Sequence, residues 1–297
     1  DLTGLVVTNK GTMTWDDAMF GGSGTGSRAV INVYTSGNAA TQATTVNDST
    51  GVINLNVLSS LGNNRGLEGM AVYGGGANSR VFWNNAGQIN VNSTSNNANN
   101  TTASAGFIRG RSQADVVNTG TLTVSELSGN TALSGLRVYM AGGSTVPVSA
   151  TLTNSGTILL SSPTASFASG VEMVQVAANS GGLPSSFKLN NSGTIQLDTN
   201  PAKGYVVKLS SNSVANVSFD IDNSGSLLAK DSSGWAVVLD GGATQTAKVT
   251  LNNTGTIVGN IWTESGNDIY TQDSGSLIGS TYLGAGDDTF TATGGSI

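Results

Sequence analysis

The chain has 297 residues, a formal net charge of −6, and only 10% charged side chains. It contains no cysteine and no histidine, which excludes disulfides, thiolate metal sites, cysteine nucleophiles, imidazole bases and histidine-ligated metals. The acidic balance disfavours nucleic acid, which needs a cationic track to neutralise its phosphates. No run of about 18 apolar residues exists that would cross a membrane as a helix.

One short unit recurs along the chain: strand, Asn, Ser or Thr, Gly, strand. It reads TLTNSGTI at 151–158, KLNNSGTI at 188–195, DIDNSGSL at 220–227 and TLNNTGTI at 250–257. Looser copies centre on Gly11, Gly51, Gly87, Gly120, Gly275 and Gly295, and the intervals along all ten glycines are 40, 36, 33, 36, 37, 32, 30, 20 and 20 residues. Such periods signal a stacked architecture. Asn tolerates a turn and bonds its own backbone, and Gly is expected to supply a positive φ there. Two residues before the Asn stand Trp83, Val116, Leu152, Leu189, Ile221 and Leu251; two after the Gly stand Met13, Ile53, Ile89, Leu122, Ile158, Ile195, Leu227, Ile257 and Leu277. A period of two on each side of the turn is that of strands with one face buried. A further strand recurs between turns, at 69–73, 135–140, 204–209 and 234–239.

Three strands per repeat, with the same residue class at the same place each time, predict an all-β right-handed parallel β-helix, one continuous domain over 1–297 with polar loop insertions. Stacking at about 4.8 Å per coil makes nine intervals a rod of roughly 40–45 Å. An antiparallel sandwich also shows short strands and regular turns, but does not require that column-by-column agreement.

In chain order, residues 1–60 are expected to form two irregular coils, with Trp15, Met19 and Phe20 placed to cover the open end. Polar excursions are expected at 36–50, 62–65, 92–105 and 180–186. The longest carries Asn96, Asn97, Asn99 and Asn100, the loop candidates for ligand contact or self-association. From Gly255 onward the coils are bare. The last residues stop inside a repeat, so a piece of a longer protein is expected.

Few residues suggest chemistry. Arg109 and Arg111 alternate on one face with Arg137 near the matching place a coil later, a patch suited to sulfate or carboxylate groups on an acidic glycan, or else paired with Asp115 and Glu172. Asp115, Thr151, Lys188, Asp220 and Thr250 fall in one outward column, which predicts a surface ion pair between Lys188 and Asp220. Asp220 and Asp222 share a face about 6.5–7 Å apart along the strand, the best pair for the two carboxyls of a polysaccharide-cleaving enzyme. GAGDDTF at 284–290 and GNDIY at 266–270 resemble calcium-repeat turns, making Asp268, Asp287 and Asp288 weak metal candidates. Against calcium stands a simpler role, Asp side chains accepting from backbone amides. No catalytic residue and no cofactor is otherwise expected.

The repeated NSGTI unit, with GNDIY and GAGDDTF near the end, resembles the passenger domains of Gram-negative autotransporter adhesins of the AIDA-I type, across about residues 9–297. The resemblance implies a non-enzymatic adhesin displayed at the bacterial cell surface and anchored by an outer-membrane barrel outside this stretch. It implies partners of two kinds: copies of itself on neighbouring cells, giving aggregation and biofilm, or a host matrix protein or glycosaminoglycan. The alternatives are a β-helical polysaccharide-degrading enzyme and a trimeric phage tail-spike fragment.

Overall fold

A computed structural model describes residues 4–16, 28–35, 41–57, 66–94, 102–126, 132–141, 146–162, 165, 167–176, 183–198, 204–211, 216–240 and 247–297. The described residues form three parallel sheets, of ten, nine and nine strands, in which each strand pairs with its equivalents one coil before and one coil after. The chain is a right-handed parallel β-helix.

The first sheet contains Leu5–Asn9, Gln42–Asn47, Arg80–Asn85, Gln113–Asn118, Val148–Asn154, Ser185–Asn191, Val217–Asn223, Lys248–Asn253, Ile269–Gln272 and Thr289–Ala292. The second starts at Thr12–Asp16 and ends at Ser276–Ile278, and the third runs from Arg28–Thr35 to Thr281–Tyr282. The predicted inward columns are buried, with Trp83, Val116, Leu152, Leu189, Ile221 and Leu251 in the first sheet and Ile53 through Leu277 in the second; Met13, on the first strand of the second sheet, is the exception and is 39% exposed. Trp83, the largest of them, satisfies its indole N–H with the Met70 carbonyl at 3.1 Å, as a buried Trp must.

The corner between the first two sheets carries the strongest sequence signal, and its asparagines are inside. Each Asn amide donates to the Oδ1 of the Asn one coil on, from Asn9 through Asn47, Asn85, Asn118, Asn154, Asn191 and Asn223 to Asn253, at 2.7–2.9 Å. The same amide reaches the carbonyl of the corner Gly that follows, two residues later as in Asn191 to Gly193 at 3.3 Å, or four as in Asn47 to Gly51 at 3.2 Å. Asn253 passes the row to Gln272 Oε1 at 2.9 Å, where the Tyr270 hydroxyl also donates. Burial pushes the Tyr270 phenol up to about 12, so it remains a donor across the physiological range.

The structure corrects the expected role of the corner glycines. Among the ten, only Gly295 has a positive φ, of 79°. Gly is required instead for close approach: a Cβ added at Gly156, Gly193, Gly225 or Gly255 would lie 2.1 Å from the carbonyl oxygen of the glycine one coil earlier.

Three predicted excursions are shorter than expected. Within 36–50, Gln42–Asn47 is a strand, with Ala43, Thr45 and Asn47 facing inward. Thr45 stands there where the next coils place Trp83 and Val116, which disguised the alternation. Within 92–105, Asn92 and Ser93 finish the strand Gln88–Ser93, and Thr102–Gly110 has begun by Thr102. Ser185 opens Ser185–Asn191. Trp15 is half-buried and packs on the core; Met19, Phe20 and residues 62–65 lie outside the described residues.

Candidate binding faces

On the first sheet's outer face the expected column forms, with Asp115, Thr151, Lys188, Asp220 and Thr250 on successive rungs. The ion pair does not follow the register. Lys188 Nζ lies 2.8 Å from Asp222 Oδ2, on the diagonal, rather than pairing with Asp220 directly opposite. Asn252 Nδ2 donates to the other Asp222 oxygen at 2.9 Å. These hydrogen bonds, from Asn252 first and Lys188 second, hold the Asp222 carboxyl below its usual pKa.

Such an anion is poorly suited to protonate a leaving group, which calls for a raised pKa. The Lys188–Asp222 pair is nearly half exposed on both sides, so Lys188→Met should alter stability by at most about 1 kcal/mol. Because the Asp222 pKa is depressed, its contribution is present above the unfolded carboxylate pKa and disappears as pH falls through the folded value. Denaturation of parent and Lys188→Met across pH 2–7 checks this: their difference should shrink on the acid side.

The arginines separate. Arg109 is outward on the third sheet, and Arg111 lies just past the end of that strand. Arg137 lies diagonally beside Arg109, one coil later, but its charge is already answered. Its Nε stands 3.2 Å from Glu172 Oε2, its Nη2 donates to the Tyr139 hydroxyl at 2.8 Å, and that hydroxyl donates to Glu172 at 3.1 Å. Lys208 follows on the next rung, 3.8 Å from Glu172 and 3.1 Å from Asp240. Asp115 is on another sheet and takes a 2.8 Å bond from Gln113, so it is not an arginine partner.

Asp268 and Asp288 stand one rung apart near the last coils. Asp268 Oδ1 accepts from the Val249 N–H at 2.7 Å, Asp288 Oδ1 from the Asp268 N–H at 2.9 Å, and Asn267 Oδ1 from the Asp287 N–H at 3.0 Å. Three acceptor side chains thus terminate backbone ladders, and among the described residues no group of three or more His, Cys, Asp or Glu could hold a metal. Asp268 Oδ2 is buried without a hydrogen-bond partner, and burial raises this carboxyl's pKa. A raised folded pKa gives stability that is complete below the unfolded value and is lost as pH rises through the folded one. Asp268→Asn should therefore flatten the fall in stability from about pH 4 upward; an unchanged slope would refute the assignment.

Asn96, Asn97, Asn99 and Asn100 lie outside the described residues. Outward-facing, half-buried amides instead line the second sheet: Asn56 donates to Asp16 at 2.7 Å, Asn92 to Asn56 at 3.2 Å, and Ser125 to Asn92 at 2.8 Å. A parallel row runs from Asn90 to Asn54 to Thr14, at 3.0 and 3.3 Å. On the first sheet a shallow groove is lined by Thr153, Asn190, Asp222, Asn252, Ser192 and Ser224. The repeated polar row is the common feature of both faces.

Compared with protein families, curated proteins and solved structures, the chain matches none.

Sequence reasoning missed the third sheet's outer face. Tyr34, Tyr73, Phe107 and Tyr139 make a chain of ring contacts with centroids 5.3–6.3 Å apart. Phe167 meets Tyr205 at 5.8 Å, and Trp235 meets Trp262 at 5.7 Å. Arg137 lies over Phe107 and Tyr139, and Lys208 over Phe167 and Tyr205, at 4.8–5.9 Å from the ring centroids. These aromatics follow polar insertions of differing length, so no fixed offset from the corner Gly reveals their alignment. The recurring GMAVY, GLRVYM and GYVVKL segments were the available signal.

Proposed function

We propose that the chain is an adhesive rod of a bacterial cell surface that acts by binding rather than by catalysis, through polar side chains repeated from coil to coil. The observation that carries this reading is the groove row Thr153, Asn190, Asp222 and Asn252, four polar residues on successive rungs. Each hydrogen bond made by such a side chain contributes about 1 kcal/mol. Many made at once along a rigid rod add through effective concentration. Homotypic contact between neighbouring cells, giving aggregation and biofilm, is the form that suits a repeated and weakly charged row. The outer-membrane placement implied by the autotransporter resemblance belongs to the same proposal.

Attachment to an acidic host glycan is the second form. It retains Arg109 and Arg111 but has Arg137 already committed to Glu172. Sedimentation of the purified chain at rising concentration separates the two. Homotypic binding predicts self-association that Asn190→Lys with Asn252→Lys abolishes, because like charges then face each other across the contact. A strict monomer that still retains heparin or a matrix protein would reject the homotypic form.

A further inference from the structure

Residues 249–297 contain no Lys or Arg and five carboxylates, Glu264, Asp268, Asp273, Asp287 and Asp288. Two large aromatic side chains are nevertheless exposed on the third sheet of these coils, Trp262 at 41% and Tyr282 at 54%. They occupy the same column on adjacent rungs, Trp262 paired in register with Tyr282 and with Val238 on the coil before. A register shift between Trp235 and Val237 displaces the preceding strand, and Trp235 packs against Trp262 with an interplanar angle of 38°.

The platform is held from beneath and from its side. Ile261 N–H and Thr263 N–H donate to the Ser280 and Tyr282 carbonyls at 2.9 and 3.1 Å. At the adjoining corner Asn260 Oδ1 accepts from the Ser280 N–H at 2.9 Å, and Asn260 Nδ2 donates to the Ser233 carbonyl at 3.2 Å. Gly259, with φ of 119°, lets the chain turn tightly into the aromatic strand. With 20 residues between Gly255 and Gly275 and again to Gly295, the two final coils carry no insertion beside it.

We propose that Trp262 and Tyr282, with Trp235 at their edge, form a binding platform for an uncharged linear polysaccharide lying along the rod axis. A pyranose ring has an apolar C–H face and a hydroxyl rim. The apolar face suits a flat aromatic surface, and the rim suits the Asn and Ser groups at the corner. Rungs about 4.8 Å apart are close to the length of one sugar in an extended chain, so successive rings meet successive rungs. Charge selects the class: the two final coils carry carboxylates and no cation, and Lys208, two rungs back in the Trp262 column, is already paired with Glu172 and Asp240, so a sulfated or uronic chain is disfavoured. This site is separate from the polar rows of the adhesive proposal and stands or falls independently of it.

Cellohexaose and N-acetylated chitohexaose are the probes, titrated into the chain at a concentration where sedimentation shows monomer. The readouts are tryptophan fluorescence and calorimetry. At least one neutral hexasaccharide should bind saturably, and Trp262→Ala and Tyr282→Ala should each weaken it about tenfold. Ile278→Ala, an exposed apolar residue of the same coil on the second sheet, should bind as the parent does and shows that truncation alone is harmless. The proposal is overturned if neither neutral probe binds, if Trp262→Ala binds like the parent, or if only heparin, chitosan hexamer or phosphatidylcholine vesicles respond.

Discussion

Gly193→Ala should destabilise the chain by about 3 kcal/mol or more, the upper range for forcing atoms into a filled space. The new methyl carbon would lie 2.1 Å from the Gly156 carbonyl oxygen and 2.7 Å from the Ser155 carbonyl carbon. Both are backbone atoms held in ladders on either side. The Thr194 N–H donates to the Gly156 carbonyl at 2.9 Å, so separating the coils would stretch the bond that joins them. The control is Gly11→Ala, a glycine at the equivalent corner with no atom within 4 Å of an added Cβ. It should stay within about 0.5 kcal/mol of the parent. Chemical denaturation followed by far-ultraviolet circular dichroism compares them, and equal midpoints would show that the corners do not need the missing side chain.

Asn154→Leu should cost about 2–6 kcal/mol, the sum of two orphaned buried groups at about 1–3 kcal/mol each. The substitution removes the acceptor of the Asn118 amide and the donor to Asn191 Oδ1, both at 2.8 Å. All three side chains are buried at about 1% exposure or less, so water cannot replace what is lost. Asn154→Asp makes a sharper case, because it keeps the acceptor and replaces the donor by an oxygen facing Asn191 Oδ1. Burial will raise that carboxyl's pKa, so the variant should lie nearest the parent in acid and fall away as pH rises from about 4 to 7. Gln272→Leu should cost about as much as Asn154→Leu, since Gln272 Oε1 accepts from both the Asn253 amide and the buried Tyr270 hydroxyl, and both donors would be orphaned. If Asn154→Leu costs no more than the exposed Asn252→Ala, the buried row contributes nothing specific.

The two substitutions act on one device. A column of amides bonds each coil to the next, and a column of glycines lets the coils approach closely enough for those bonds to form. Neither works alone, which is why Asn and Gly recur together in NSG and NTG. The ladder also explains how a polar corner sits beside a dry core without penalty: every amide in its interior is satisfied by an identical neighbour. The threonines of the second coil lack this reciprocity, and Thr45 Oγ1 is buried without a partner.

The stacking was legible in the sequence because identical residues return at the same offset from each corner, and a parallel ladder puts equals on equals. Trp83, Leu152, Leu189 and Leu251 announced the core, and Lys188 and Asp220 announced a column, through that repetition alone. Tertiary structure decided what repetition cannot encode. Lys188 reaches diagonally to Asp222 because a long flexible side chain chooses its partner by distance, not by register. Arg137 is neutralised by Glu172, and Trp262 is laid beside Tyr282 and Trp235, because insertions of unequal length hide alignments that only the hydrogen-bonded rungs restore. The sequence by itself thus determined the coil and its buried columns, where each contact is between equivalents. The fold alone determined the outer surface, where neighbours are unlike and their pairing depends on geometry between coils.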